Sequence, residues 1–446
     1  MVRKRRHNEP SRKGEMPKQD PLGQLEQLIA SLGTEGHYPP SEVVMSVLGK
    51  LTPDSPRVGS ANGVYVQLMG EEPVIDGTSD YWTRQLGYRN ERILELLNWV
   101  ARTVGSAHMS EQSHVLADML ADFLCVLVPR GVCTLPLCGT TGTDAVESAL
   151  RLAIGFVEER DGTAGKPPGE IVVLRGGFHG HSIGLDPLYV KEGGNILGHP
   201  VLRLKPGIEG AQNLPRCMEE LNEVFKVSKP AIFLLETVQM SHGARVLDDD
   251  YLRRVSELCQ QHGTVLIDDE VATGFGRTGK MFGFEWSGIR PGLTVVGKGI
   301  TGGERALSAV LVGEEVAAAL SCGKFRHGNT YSWQPGPCAA ALSAIAVLMS
   351  GGYVEQAHVV GEGLRTALDS ALSSFGMKIY GRGQVTGVQL PRKWRASTVV
   401  GQALKKGVRI GRGPGNTLVI APPLTLSEDQ AQVIADAVTR SIINSS

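Results

Sequence analysis

Residues 264–303, TVLIDDEVATGFGRTGKMFGFEWSGIRPGLTVVGKGITGG, contain the features that decide the fold. Two apolar runs in it, TVLI and LTVV, have the length of buried strands, and polar groups follow each of them. Asp268, Asp269 and Glu270 follow the first run, and Lys298 follows the second among glycines. Burying such groups is unfavourable unless an opposite charge or a hydrogen-bond partner meets them. The segment therefore predicts buried strands whose ends carry chemistry.

The rest of the chain alternates strand-length apolar runs with helical patterns from about residue 107 to 345. Examples of the runs are VCTLPLC (132–138), EIVVLR (170–175) and AIFLLET (231–237). This alternation predicts an α/β fold with a mainly parallel sheet that helices cover on both faces. A smaller α/β domain made from both chain ends is expected beside it. The predicted parts are a disordered basic tail and lead-in at 1–35, the small domain at 36–106 and 346–446, and the large domain at 107–345.

Composition limits the class of protein. The 446 residues are 41% hydrophobic and 20% charged, which is typical of a globular protein of two or three domains. The 45 basic and 46 acidic residues nearly cancel, so the chain as a whole lacks the basic excess of a nucleic-acid binder. No apolar run reaches the roughly 20 residues of a membrane span. The 7 cysteines contain no CxxC pair, which favours the cytoplasm over secretion.

The basic start of the chain, MVRKRRHNEPSRKGEMPKQD, has no hydrophobic periodicity. It is typical of a disordered tail. The cluster Arg3, Lys4, Arg5 and Arg6 leaves a nuclear or nucleic-acid role open for this tail alone.

A glycine- and threonine-rich turn leads from the strand at VCTLPLC into a helix. The sequence GTTGTDAVESALRLA puts Gly142 and Thr143 at the helix start, where free amides suit a phosphate. An ordinary helix cap is the alternative interpretation of this stretch.

A second glycine-rich turn, GGFHGHSIG, follows the strand at EIVVLR. Phe178 in this turn fits either stacking on a flat ring or core packing. His179 and His181 also invite a metal interpretation, but no carboxylate or cysteine stands at ligand spacing. We therefore predict no metal site.

A phosphate cup, a stacking aromatic, a buried acid and a buried lysine together are what pyridoxal 5'-phosphate requires. The rival interpretation is an NAD oxidoreductase, because residues 274–279 fit the pattern GxGxxG after a strand. The following segment does not open a helix, and the next strand ends in Lys298 instead of an acid. A binding protein without catalysis would not need both Lys298 and Asp269.

LLETVQ, the 264–303 segment and HGNTYSWQPGPCAAA resemble the signature segments of class III aminotransferases, which have PLP fold type I. The matches run in family order from about residue 60 to 424. The resemblance implies a PLP-dependent homodimer with shared active sites, and it leaves dimer or tetramer open. It implies transfer of an amino group between an amine or amino-acid donor and a keto acid or aldehyde acceptor. An aminomutase, racemase or decarboxylase of the same fold is the alternative.

The resemblance also implies roles for individual residues. Lys298 matches the Schiff-base lysine, and Asp269 matches the acid at the pyridine nitrogen. Thr237 stands where proline is usual, and Ala272 replaces the frequent glutamine beside the ring hydroxyl. The other cofactor positions are Gly142 and Thr143 at the phosphate, Phe178 and Val271 on the two ring faces, Glu236, and Thr330 reaching the phosphate from the other subunit.

The substrate segments are more similar to the ω-amine:pyruvate transaminases than to the ornithine and γ-aminobutyrate types. Val419 and Ser241 stand where the latter types keep an arginine and a glutamate. DYWTRQLGYRN and RGPGNTLVIAPPL resemble two segments of the former subgroup. The resemblance implies pocket walls at Tyr81, Trp82 and Tyr88, and a mobile carboxylate-binding residue at Arg412.

Overall fold

The computed structural model describes residues 57–107, 112–162, 169–228, 230–320, 325 and 327–445. The predicted tail at 1–35 lies outside these residues. The strands in chain order are β1 (Val58–Asn62), β2 (Tyr65–Leu68), β3 (Val74–Asp76), β4 (Leu135–Gly139), β5 (Ile171–Leu174), β6 (Asn195–Ile196), β7 (His199–Leu204), β8 (Ile232–Leu235), β9 (Val238–Gln239), β10 (Arg245–Val246), β11 (Val265–Asp269), β12 (Leu293–Val296), β13 (Ser308–Val312), β14 (Lys378–Arg382), β15 (Val385–Gln389), β16 (Val408–Arg409), β17 (Gly411–Gly413) and β18 (Thr417–Ile420).

Helices lie between β3 and β4, β4 and β5, β7 and β8, β10 and β11, β13 and β14, and β15 and β16, and one more follows β18. They are α1 (Glu91–Thr103), α2 (Val115–Leu127), α3 (Gly142–Arg160), α4 (Leu214–Val227), α5 (Asp249–His262), α6 (Glu314–Leu320), α7 (Pro335–Ser350), α8 (Tyr353–Leu372), α9 (Ala396–Lys405) and α10 (Glu428–Ile443). No single helix in the described part of the chain has the length and apolar character to cross a membrane; α7 and α8 meet that test only as a bent pair.

An eight-stranded sheet forms the centre of the fold, in the order β4-β13-β12-β11-β8-β5-β7-β6. The pairs from β12 through β11, β8 and β5 to β7 are parallel, while β13 and β6 run antiparallel to their neighbours. Parallel strands require crossover connections. Helices lie in those from β5 to β8 and from β8 to β11, whereas the described residues contain no α-helix between β11 and β12 or between β5 and β7. The predicted mainly parallel sheet is therefore confirmed.

Both faces of this sheet are buried, and alternate residues of each strand enter different cores. Leu266 of β11 packs into the cluster that contains residues of α4 and α5. Val265 and Ile267 pack into the opposite cluster, together with apolar residues of α3. This is why the strands read as continuous apolar runs rather than as alternating ones.

Two four-stranded sheets form the smaller part, and the first of them combines strands from both ends of the chain. Their orders are β1-β2-β3-β16 and β14-β15-β18-β17. β16 pairs with β3 in parallel, and one core contains Val64 and Ile75 together with residues of α8, α9 and α10. The expected smaller α/β part is thereby confirmed. By its contacts the chain from Val58 to Ser446 is one unit, and the domain boundaries at 36, 107 and 346 stay predictions.

Candidate active site

A cavity lies where the parallel strands end. Glu236 follows β8, Asp269 is the last residue of β11, and Lys298 comes shortly after β12. Parallel strands bring their carboxyl ends to one edge of a sheet, where ligands of α/β proteins gather. The sequence-predicted residues that line this cavity are Trp82, Gly142, Thr143, Phe178, Glu236, Asp269, Val271 and Lys298.

Lys298 is held in a tight turn at the centre of the cavity. Its backbone φ is +40°, and a Cβ at the neighbouring Gly299 would require the end of the Gln85 side chain to move. Burial lowers the pKa of Lys298, and the negative charges of Asp269 and Glu236 partly oppose that shift. A lysine whose pKa is lowered in this way is more readily the free, nucleophilic amine.

Asp269 is paired with a histidine that sequence reasoning considered only as a metal ligand. Its Oδ2 lies 2.8 Å from Nδ1 of His179, and its Oδ1 accepts from the Val271 amide at 3.1 Å. Burial by itself lowers the pKa of His179, but the hydrogen bond and charge of Asp269 raise it overall. The pair is 90 residues apart in the chain, so no local pattern could reveal it.

Glu236 links two of the loops that form the cavity. Its Oε1 accepts from the Phe178 amide at 2.8 Å. Burial raises the pKa of Glu236 to about 7, against the opposing charge of His179. The Tyr189 hydroxyl accepts from the His179 amide at 2.7 Å and donates to the Gly180 carbonyl at 2.8 Å. These bonds hold the loop that carries Phe178 at the cavity edge.

The start of α3 presents bare backbone amides to the same cavity. A Cβ at Gly142 would lie 2.8 Å from Cγ1 of Val271, so this position excludes any side chain. The side chain of Thr141 caps the helix by accepting from the Asp144 amide at 3.3 Å. The amides of the first helical turn have no partner within the helix, and together with the helix dipole they favour an anion.

The residues present fit pyridoxal 5'-phosphate. The side-chain-free start of α3 suits the phosphate, and the carboxylate of Asp269 suits a protonated ring nitrogen. Lys298 provides the amine, while Phe178 and Val271 provide surfaces for the two faces of a flat ring. The cavity thus contains one group for each part of the cofactor.

Trp82 reaches the cavity from an unusual turn. Residues 79–82 all have positive φ, between +46° and +69°, and none of them is glycine. The Trp82 amide donates to the Thr78 carbonyl at 3.0 Å, and the Thr83 amide donates to the Ser79 carbonyl at 2.9 Å. One turn of left-handed helix is unfavourable for L-residues by roughly 1–2 kcal/mol per residue. The surrounding structure must therefore stabilise it.

Only one of the three aromatic residues predicted as pocket walls lines the cavity. The centre of the Trp82 ring lies 4.6 Å from Lys298 Nζ. Tyr81 is 68% exposed, and Tyr88 directs its hydroxyl to Asp76 Oδ2 at 2.7 Å. Tyr81 and Tyr88 do not line the cavity in this structure, and their contact with substrate stays a prediction.

The structure also places Arg412 and Thr330 outside the cavity lining. Arg412 of β17 lies directly opposite Leu418 of β18, and such pairs point to the same sheet face. Leu418 packs into the core of the small part of the fold, whereas Val419 packs on the other face, in the cluster that contacts Trp82. Arg412 is therefore exposed on the face turned away from the cavity, and its role as a mobile carboxylate-binding residue stays a prediction. Thr330 is exposed as well.

We expect Arg412→Ala to leave kcat/KM within about twofold for both pyruvate and an amine donor, because it changes an exposed residue outside the site. Steady-state kinetics with each substrate varied in turn would measure this. A loss of about tenfold for pyruvate alone would contradict the prediction and show that Arg412 enters the cavity with a carboxylate.

Asp268 lies buried behind the cavity, on the opposite face of β11 from Asp269, and Glu270 is a second buried acid next to it. Because side chains alternate along a strand, Asp268 points to the same face of β11 as Leu266. It does not line the cavity. Neither of its oxygens receives a hydrogen bond from a donor in the described part of the chain. Burial and the charge of Glu270 raise the pKa of Asp268 well above its ordinary range. This shift favours the protonated, uncharged form of Asp268.

We expect Asp268→Asn to keep activity within about twofold of the wild type. The variant should also lose less stability than the wild type when the pH rises. A carboxyl group with a raised pKa binds its proton more tightly in the folded than in the unfolded state. Stability therefore falls as the pH rises from the ordinary aspartate range through the raised pKa. Asparagine has no proton to lose, so the melting temperature of Asp268→Asn should increase relative to that of the wild type as the pH rises above the ordinary aspartate range.

Equal pH dependence in the two proteins would contradict this account of Asp268. A severe loss of activity in Asp268→Asn would mean that Asp268, and not Asp269, serves the cavity.

The comparisons with known proteins agree with this fold and this set of residues. A family model described as aminotransferase class-III matches residues 54–442. Ornithine aminotransferase 1 of Staphylococcus saprophyticus is 30% identical over 299 residues, 67% of this chain and 73% of that protein. A PLP-bound amine transaminase from an uncultivated Pseudomonas species superposes with a TM-score of 0.81 at 25% identity, over 89% of this chain and 97% of its own.

An ornithine aminotransferase from Toxoplasma gondii shows the same fold, with a TM-score of 0.81 at 19% identity over 96% of this chain and 99% of its own. The chain belongs to the class III aminotransferases. The expected fold type, the cofactor pyridoxal 5'-phosphate and the reaction class of amino-group transfer are thereby confirmed. Amine and ornithine transaminases both occur among the similar proteins, so the subgroup stays a prediction.

Proposed function

We propose that this aminotransferase is of the ω-amine:pyruvate type, with Lys298 and Asp269 as its catalytic residues. The observation that carries the proposal is one cavity in which the buried amine of Lys298 faces the Trp82 ring at 4.6 Å, beside the His179-paired carboxylate of Asp269. The donor is an amine or amino acid, and the acceptor is a keto acid or aldehyde.

When bound, pyridoxal phosphate supplies an aldehyde that takes up the amino group and a ring that accepts electrons released at the substrate carbon. Lys298, as the free amine that its lowered pKa favours, carries the proton to and from that carbon. Asp269 holds a proton on the ring nitrogen, and His179 orients Asp269 for this task. Gly142 and Thr143 anchor the phosphate through the start of α3.

The character of the cavity wall supports an amine donor. Ser241 and Ala272 line it beside Trp82, and among the described lining residues Lys298 is the only lysine or arginine. Arg84, which lies nearby in sequence, is already paired with Glu304 at 2.6 Å. A lining that has no arginine among the described residues does not demand a carboxylate on the donor.

A half-reaction experiment tests the proposal. The holoenzyme is mixed with a primary amine alone, and a panel of donors is screened by mass spectrometry. A transaminase converts the cofactor to its pyridoxamine form, seen by absorbance, and releases a carbonyl product. An isomerised amine, an inverted centre or carbon dioxide without carbonyl release would instead identify an aminomutase, a racemase or a decarboxylase.

We also propose a homodimer with shared sites in which Thr330 of one subunit reaches the phosphate in the other. Support comes from the exposure of Thr330 and from exposed apolar side chains on α1 and α2, among them Trp99, Val115 and Met119. Light scattering should give twice the chain mass of 47.7 kDa, and a fourfold mass would indicate a tetramer. The cytoplasmic location is a further proposal, which cell fractionation tests.

A further inference from the structure

Asp76 is a buried carboxylate outside the cavity that receives hydrogen bonds from the neighbouring turn. It is the last residue of β3 and is 0% exposed. Its Oδ1 accepts from the amide and the hydroxyl of Thr78 at 2.9 and 2.6 Å. Its Oδ2 accepts from the Asp80 amide at 3.0 Å and the Tyr88 hydroxyl at 2.7 Å. All four donors belong to the segment that contains the left-handed turn at 79–82.

A second set of contacts fixes the same turn from the opposite side. The Ser79 hydroxyl donates to the Ala421 carbonyl at 2.6 Å. The buried guanidinium of Arg277 lies against it, with Nη2 3.3 Å from the Ser79 hydroxyl and Nη1 donating to the Pro422 carbonyl. These bonds hold Ser79 in place, but only Asp76 binds backbone amides on both sides of Ser79.

We propose that Asp76 is a positioning residue whose carboxylate keeps residues 79–82 in the left-handed turn and thereby keeps the Trp82 ring over Lys298. The proposal rests on the proposed function, in which Lys298 is the reacting amine. Among the four residues of the turn, Trp82 alone lines the cavity. A change in the turn would therefore reach the reaction through the position of this ring.

The physical reason lies in the backbone preference of L-residues. Positive φ is unfavourable at all four positions, and the turn persists only while its surroundings determine it. Without Asp76 the amides of Thr78 and Asp80 lose their acceptor, and the chain can return to negative φ. Trp82 would then leave the amine of Lys298 and open that side of the cavity.

The test compares Asp76→Ala, Trp82→Ala and the double variant as holoenzymes. We expect each single variant to lower the rate constant of the amine half-reaction about tenfold, and the double variant to fall no further. The visible circular dichroism of the bound cofactor, which responds to the groups around its ring, should change alike in all three. Asp80→Asn is the matched control, because the Asp80 side chain is exposed and only its amide contacts Asp76.

Additive losses, about a hundredfold in the double variant, would overturn the proposal, as would an unchanged circular dichroism spectrum in Asp76→Ala. If Asp76→Ala does not fold, Asp76→Asn and Tyr88→Phe each weaken the same set of bonds. Their spectra should shift partway toward that of Trp82→Ala, and wild-type spectra would overturn the proposal. A wild-type enzyme that converts no amine would overturn the proposed function instead, since the spectroscopic comparison needs no turnover.

Discussion

Lys298→Ala should reduce turnover by a factor on the order of 10⁴, while the protein still binds pyridoxal phosphate noncovalently. The reason is that Lys298 is the only amine in the described cavity lining that can carry the proton at the substrate carbon. The start of α3 and Asp269 are untouched by the substitution, so the binding groups for phosphate and ring remain. Steady-state kinetics and a cofactor titration by absorbance would measure the two effects separately.

Borohydride treatment of the holoenzyme, followed by peptide mapping, gives an independent check. The label should appear on Lys298 and be absent from Lys280, which lies in the same segment but donates to the Glu285 carbonyl at 3.0 Å outside the cavity. A label on another lysine would refute the assignment. Added methylamine should restore part of the activity of Lys298→Ala, because a small amine can occupy the space of the lost side chain.

Asp269→Asn should lower kcat/KM by about 10³, which is roughly 4 kcal/mol of transition-state stabilisation. An amide cannot hold the ring nitrogen in its protonated state, and an uncharged ring is a poor electron acceptor. His179 would also lose the anionic partner that raises its pKa. The measurement is the rate of the amine half-reaction, with cofactor affinity determined in parallel.

Asp268→Asn is the matched control for this prediction, since both changes remove a carboxylate from the same strand. Asp268 faces the opposite core, and its raised pKa favours an uncharged carboxyl group. Comparable losses in the two variants would contradict the assignment of Asp269. The expected contrast follows from the alternation of side chains along β11.

The sequence by itself determined the main sheet and the cofactor groups that stand at its strand ends. Apolar runs between helical patterns specify buried parallel strands, because only such strands place their whole length in a core. Lys298, Phe178 and the acidic run 268–270 could be singled out for that reason, whereas the roles of Asp269 and Glu236 followed from the family resemblance. Each stands within a few residues of a strand end, and parallel strands bring these ends to one edge.

Only the tertiary structure decided which distant side chains meet. His179 pairs with Asp269 across 90 residues, and Tyr88 pairs with Asp76 although it was expected in the pocket wall. Arg412 matched a functional segment, yet its strand register places it on the face of Leu418. A shift of one residue in register reverses the face of every side chain in a strand, and local sequence does not specify it. The left-handed turn that carries Trp82 likewise opposes local backbone preference, and it makes hydrogen bonds with Arg277, which lies in a distant part of the chain, as well as with the neighbouring Asp76.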